Sequence, residues 1–205
     1  MEVIAPRQDL PRRARKARVS QTLALAGATA TLLAACAGPP RTAYDVAAAD
    51  RGFPARAPRG ELAVFEPVAI EPVVSDKIVV RTSPETLATL GGAQWVDRLP
   101  VLVQTRLVES FENAQILRAV GRSGIVADHN LHTEIRRFEL DSARGEVVVE
   151  IFARLSGASG QAVAGRLFSV QVPVTSDDPG YVAAALNSAL KEVMRQIVTW
   201  TAQKV

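Results

Sequence analysis

Three stretches in the second half of this 205-residue sequence alternate apolar and polar residues with a period of two. Two others repeat apolar residues every three to four positions. The first pattern belongs to half-buried strands and the second to amphipathic helices. Short strands, a helix, three strands and a closing helix together predict an α+β domain. Its sheet is expected to be mainly antiparallel, with two principal helices packed on one face.

The chain opens with a basic cluster, Arg12, Arg13, Arg15, Lys16 and Arg18. Val19 to Leu33 follow without a charge, and then comes Leu33-Ala34-Ala35-Cys36, with the only cysteine. A charged head, a short apolar core and a small-residue cleavage site describe an export signal. The apolar run is short of the roughly 20 residues that a membrane-spanning helix needs. Its ending resembles a bacterial lipoprotein signal, in which the cysteine is lipidated and becomes the first mature residue. Residues 1–35 are therefore expected as signal peptide and Cys36 as the lipid attachment site. Residues 36–60 read as a flexible tether, punctuated by Pro39, Pro40, Pro54 and Pro58 with no helical or strand period. Tyr44 and Val46 are its larger apolar groups before Phe53. The folded domain is expected over 61–205.

Leu62 to Phe65 is a short apolar run closed by Pro67, the first expected strand. Ile78-Val79-Val80-Arg81 is the second, and Ser83-Pro84-Glu85 a turn. Thr86 to Leu90 reads as a third strand or a short helix. Asp97 to Phe111 is the first helix, with Asp97 as cap, Pro100 at the third helical position, and Leu99, Val103, Leu107 and Phe111 on one face. Ile116 to Val120 is ambiguous. In the next stretch Leu131, Thr133 and Ile135 alternate, but Phe138 and Leu140 alternate in the opposite phase. The phase slips at Arg136-Arg137, where a bulge would return the apolar side to the core. Asp141 to Gly145 is a turn. Val147, Val149, Ile151, Ala153 and Leu155 form a clean strand face, and Phe168, Val170, Val172 and Val174 another. Asp177-Asp178-Pro179 starts the closing helix, which is expected to run to about Thr201. Parallel pairing of the early strands would make the sheet mixed.

Charge excludes one class of function. The first 18 positions hold six basic and two acidic residues. Without them, totals of 24 and 21 fall to 18 basic against 19 acidic. A near-neutral mature chain does not supply the concentrated positive surface that nucleic acid requires. No catalytic set, metal ligands or cofactor motif stands out. Ser159 sits in a glycine-rich turn without the nucleophile pattern of a hydrolase. His129 and His132, three apart on a strand, point to opposite faces. Glu139 and Asp141 share a face beside Arg137, as a solvated edge does. No Walker loop is present.

Several motifs recur together in one family. They are the Leu-Ala-Ala-Cys36 box, Ile78-Val79-Val80-Arg81, Gln94-Trp95-Val96-Asp97-Arg98-Leu99-Pro100, Arg137-Phe138-Glu139 and the closing amphipathic helix. In their order and spacing the chain after Cys36 resembles the PqiC-like auxiliary lipoproteins of ABC transport. One departure is Val74-Ser75-Asp76-Lys77, where the family often carries an aromatic. The resemblance implies a non-enzymatic periplasmic component without cofactor, held by its lipid on the outer membrane. It implies contact with an MCE-type subunit, phospholipid or a related hydrophobic cargo, and no nucleic acid; homo-oligomerisation stays open. The competing class is a periplasmic binding or envelope-assembly lipoprotein unrelated to ABC transport. The expected partner-contact residues are Ile78, Arg81, Trp95, Arg137, Phe138 and Glu139. For Arg81 and Arg137 a purely structural pairing with a neighbouring glutamate is the alternative.

Overall fold

A computed structural model describes residues 40–53 and 55–205. The expected signal peptide and Cys36 lie outside the described residues. In chain order the elements are β1 (Thr42–Tyr44), β2 (Glu61–Val64), β3 (Val79–Ser83), β4 (Thr86–Thr89), β5 (Ala93–Trp95), α1 (Leu99–Ala114), β6 (Ala119–Arg122), β7 (His129–Asp141), β8 (Glu146–Gly157), β9 (Ala162–Pro173) and α2 (Pro179–Ala202). β1 and β5 pair as a small parallel ribbon. The other seven strands form one sheet.

β7 is the axis of that sheet. Along one side it pairs antiparallel with β8, which pairs antiparallel with β9. Along the other side it takes β2 at its start and β3 at its end, both parallel. β6 extends the sheet beyond β2, and β4 beyond β3. The long ladders are antiparallel and the short additions mostly parallel, so the sheet is mixed but mainly antiparallel.

The phase slip in β7 is a bulge. The register with β8 shifts between Ile135 and Arg137. One extra residue there lets Leu131, Ile135, Phe138 and Leu140 all reach the helix side, where each is buried. From β8, Val147, Val149, Ile151, Ala153 and Leu155 join them. α2 closes this layer with Val182, Leu186, Leu190, Val193 and Ile197. Asp178 caps α2 by accepting from the Tyr181 N–H at 3.0 Å. On β9 only Phe168 is fully buried, its ring 5.7 Å from that of Trp200.

The structure adjusts several boundaries. α1 starts at Leu99 with Arg98 as its cap residue and Pro100 in its second position. Asp97 instead accepts from the neighbouring Arg98 N–H at 2.6 Å. The peptide just before Leu99 is already held by the Leu99 N–H donating to the Ser75 carbonyl, which delays the first turn. Residues 86–89 are a strand, and the ambiguous region after α1 becomes β6. β5 was not expected, because three residues carry no period.

The larger correction concerns the tether. Thr42–Tyr44 pair with β5, and Val46 and Ala49 are buried. The Ala47 N–H donates to Asn187 Oδ1, and the Ala49 N–H to Ser110 Oγ. Arg106 donates to the Val46 carbonyl and pairs with Asp45 at 2.6 Å. Side chains of both helices thus hold the strap's backbone. They replace the hydrogen bonds that an irregular, proline-punctuated segment cannot make to itself. Farther on, Arg56 donates to the Ala202 carbonyl at the C-terminus of α2.

Candidate functional site

The sheet face away from the helices carries its charge where β3 meets β7. Arg81 of β3 lies across from Asp141, two pairs beyond Val79 and Glu139. Its Nε donates to Glu139 Oε1 at 2.7 Å and an Nη to Oε2 at 3.2 Å, a two-pronged pairing. Its other Nη donates to the Pro84 carbonyl at 2.8 Å. Arg137 reaches the same Glu139 Oε1 at 2.6 Å and Asp141 Oδ2 at 3.1 Å. Glu139 and Asp141 are both buried. Two half-buried guanidiniums therefore lie over two carboxylates. Burial works against the charge on Arg137, but Glu139 and Asp141 outweigh it and hold its pKa above the ordinary arginine value.

A surface pocket of about 360 Å³ opens over this cluster, lined by Arg81, Pro84, Arg137, Asp141 and Arg144 among others. Arg144 comes from the β7–β8 turn. It stands 3.9 Å from Asp141 and 3.8 Å from Glu146, with its side chain 69% exposed. Each guanidinium has five donors. Those of Arg81 and Arg137 not spent on carboxylates, together with Arg144, can meet an acidic group on a partner.

The expected contact residues divide in two. Arg81 and Arg137 converge and reach the surface. Ile78, Trp95, Phe138 and Glu139 are buried and cannot be the contact surface. The Phe138 ring packs edge-on against Trp95, centroids 5.6 Å apart. Their motifs mixed charged with apolar residues because strand and loop alternate between interior and surface. Arg144 was missed; its only signal was its place in a turn two residues before Glu146.

The two histidines stay apart. His132 stacks on Phe65 with centroids 4.2 Å apart. Desolvation, followed by the Arg154 charge, lowers its pKa below the ordinary histidine value. Among the described residues no cluster of His, Cys, Asp and Glu could hold a metal ion. No helix among them is long and apolar enough to cross a membrane.

With this geometry in hand, likeness to known proteins is specific. A crystal structure of a Xanthomonas campestris protein matches with a TM-score of 0.72 and 31% identity, covering 80% of this chain and 96% of that one. A second crystal structure, of an uncharacterized protein, shares the fold at a TM-score of 0.64 and 16% identity, covering 80% and 99%. An uncharacterized protein of Bradyrhizobium diazoefficiens is 36% identical over 111 residues, which are 52% of this chain; the match spans 30% of that relative's length. The model of the family described as ABC-type transport auxiliary lipoprotein component matches residues 44–198, nearly the whole described domain. The chain belongs to that family, described as ABC-type transport auxiliary lipoprotein components.

Proposed function

We propose that the protein is the periplasmic, lipid-anchored partner of an MCE-type subunit in an ABC system that moves phospholipid or a related hydrophobic molecule between membranes. It acts by protein–protein contact, held to the outer membrane through Cys36. The family match over 44–198 carries this reading. The lipobox-like Leu33-Ala34-Ala35-Cys36 and the open arginine rim support it. The contact surface is the rim of Arg81, Arg137 and Arg144, and it takes a carboxylate of the partner.

Crosslinking in native membranes, followed by mass spectrometry of what is captured, tests the pairing. An MCE-domain subunit is the expected product, and its absence overturns the reading. Arg144→Glu sharpens the test because Arg144 makes no close hydrogen bond through its guanidinium. Affinity for the purified subunit should fall about tenfold, or 1.4 kcal/mol, with an unchanged melting midpoint. Unchanged affinity moves the contact off this rim.

A further inference from the structure

An antiparallel sheet with one face in water ordinarily makes that face polar. Around Phe152 this sheet does not. Val68, just past β2, bridges to Glu134 of β7; Glu134 pairs with Phe152 of β8, and Phe152 with Leu167 of β9. Residues in register share a face, so these four side chains stand in one row on the side away from the helices. Val68 is 67% exposed and Leu167 43%. The adjoining row holds Phe65, which stacks on His132, then Arg154 and Gly165.

The Phe152 ring is seated by its neighbours. A Cβ at position 165 would lie 3.0 Å from Phe152 Cζ, so the ring rests over a place that glycine keeps clear. The guanidiniums of Arg136 and Arg154 lie 4.9 and 5.9 Å from its centroid, within the range of cation–π attraction. Arg136 stands 3.4 Å from Glu134, and Arg154 makes no ion pair among the described residues. Two cations and one carboxylate therefore border the apolar row. β7, β8 and β9 hold no lysine. Arginine and aromatic side chains are enriched at protein interfaces, where lysine is depleted.

The geometry points to this row as the seat of an acidic amphipathic helix of the partner. From Val68 to Leu167 the row spans three strand spacings, about 14 Å, which suits a helix of roughly three turns that lays its apolar stripe on Val68, Phe152 and Leu167. Acidic residues beside that stripe meet Arg136 and Arg154. The inference rests on the contact proposed for the rim and extends it. Arg137 of the rim pairs with Glu150, two residues from Phe152 on the same face, about 7 Å along the strand. A bilayer fits less well, because Glu134 in the middle of the row would face lipid phosphates. A second copy laid face to face would set guanidiniums against guanidiniums.

Photo-crosslinking in native membranes tests this, with a benzophenone side chain in place of Leu167 in one full-length variant and of Arg144 in another. The MCE-domain subunit is expected from both positions. Its capture at 144 but not at 167 overturns this inference and leaves the rim standing. Its capture at neither overturns the proposed pairing, and this inference with it. A lipid or a second copy captured at 167 overturns the inference as well. Arg154→Glu and Leu167→Asp, both at exposed side chains, should each lower affinity for the purified subunit about tenfold, with melting midpoints near wild type. Arg154→Glu should also flatten the decline of affinity with salt. Should one variant fail to fold, the other carries the measurement, and wild-type affinity in a folded variant overturns the inference.

Discussion

The two faces of the central sheet are built from alternate residues of the same strands, yet they are held together differently. On the helix side β7 and β8 contribute Leu131, Ile135, Phe138, Val149 and Ile151, buried aliphatic and aromatic groups that need only shape and the exclusion of water. On the other face, Glu139 and Asp141 of β7 depend on named partners, Arg81 and Arg137. Nearby, Phe152 lies beneath the guanidinium of Arg136 at 4.9 Å. The helix face loses stability in proportion to what is cut away. The other face loses it when one member of a set is removed and the rest stay behind uncompensated.

Substitutions on β7 turn this contrast into measurements. Phe138→Ala should cost most, about 3–5 kcal/mol, because it leaves a void beside Trp95; chemical denaturation reads it directly. A cost below 1 kcal/mol would mean that the helix-side layer can collapse into the space. Glu139→Ala, one position away on the opposite face, should cost about 2–3 kcal/mol by leaving two guanidiniums over one carboxylate. Its signature is non-additivity. In a double-mutant cycle with Arg81→Ala, the second substitution should cost much less than it does alone. Additive losses would show that the cluster is a set of independent surface pairs.

The smallest effect is expected at His132. Its folded-state pKa is lowered, so the folded protein holds its proton less tightly than the unfolded chain does. This contribution is complete above the ordinary histidine value of about 6.5 and is lost as pH falls from there through the lowered folded-state value. Below that range His132→Gln should narrow the stability difference between neutral and mildly acidic pH. An identical pH profile for wild type and variant would remove His132 from the account.

The same contrast explains what could be read in advance. A period of two is a local property, and it located β7 and β8 and even the bulge at Arg136-Arg137. The Asp178-Pro179 start of α2 is local too. The charged cluster is not local, since Arg81 and Glu139 are 58 positions apart and meet only because β3 runs parallel to β7. From the sequence, Arg81 and Arg137 stood out as charges, but nothing showed that they share Glu139. The strap at 42–49 was hidden for a related reason. It has no pattern of its own, and its backbone partners, Asn187, Ser110 and Arg106, come from helices far along the chain.

On the proposed lipid anchoring at Cys36, that strap also limits how far the domain can travel. A free arm ending at residue 60 would have given the protein a leash of some two dozen residues from Cys36. With Thr42 already zipped into the ribbon with β5, six steps of chain remain between the anchor position and the first fixed residue. Fully stretched at about 3.5 Å each, they reach roughly 20 Å, less than the length of α2 at 1.5 Å per residue. On the proposed attachment to the outer membrane, a domain moored so closely would not sweep the space between two membranes, and the proposed partner would have to cover that distance.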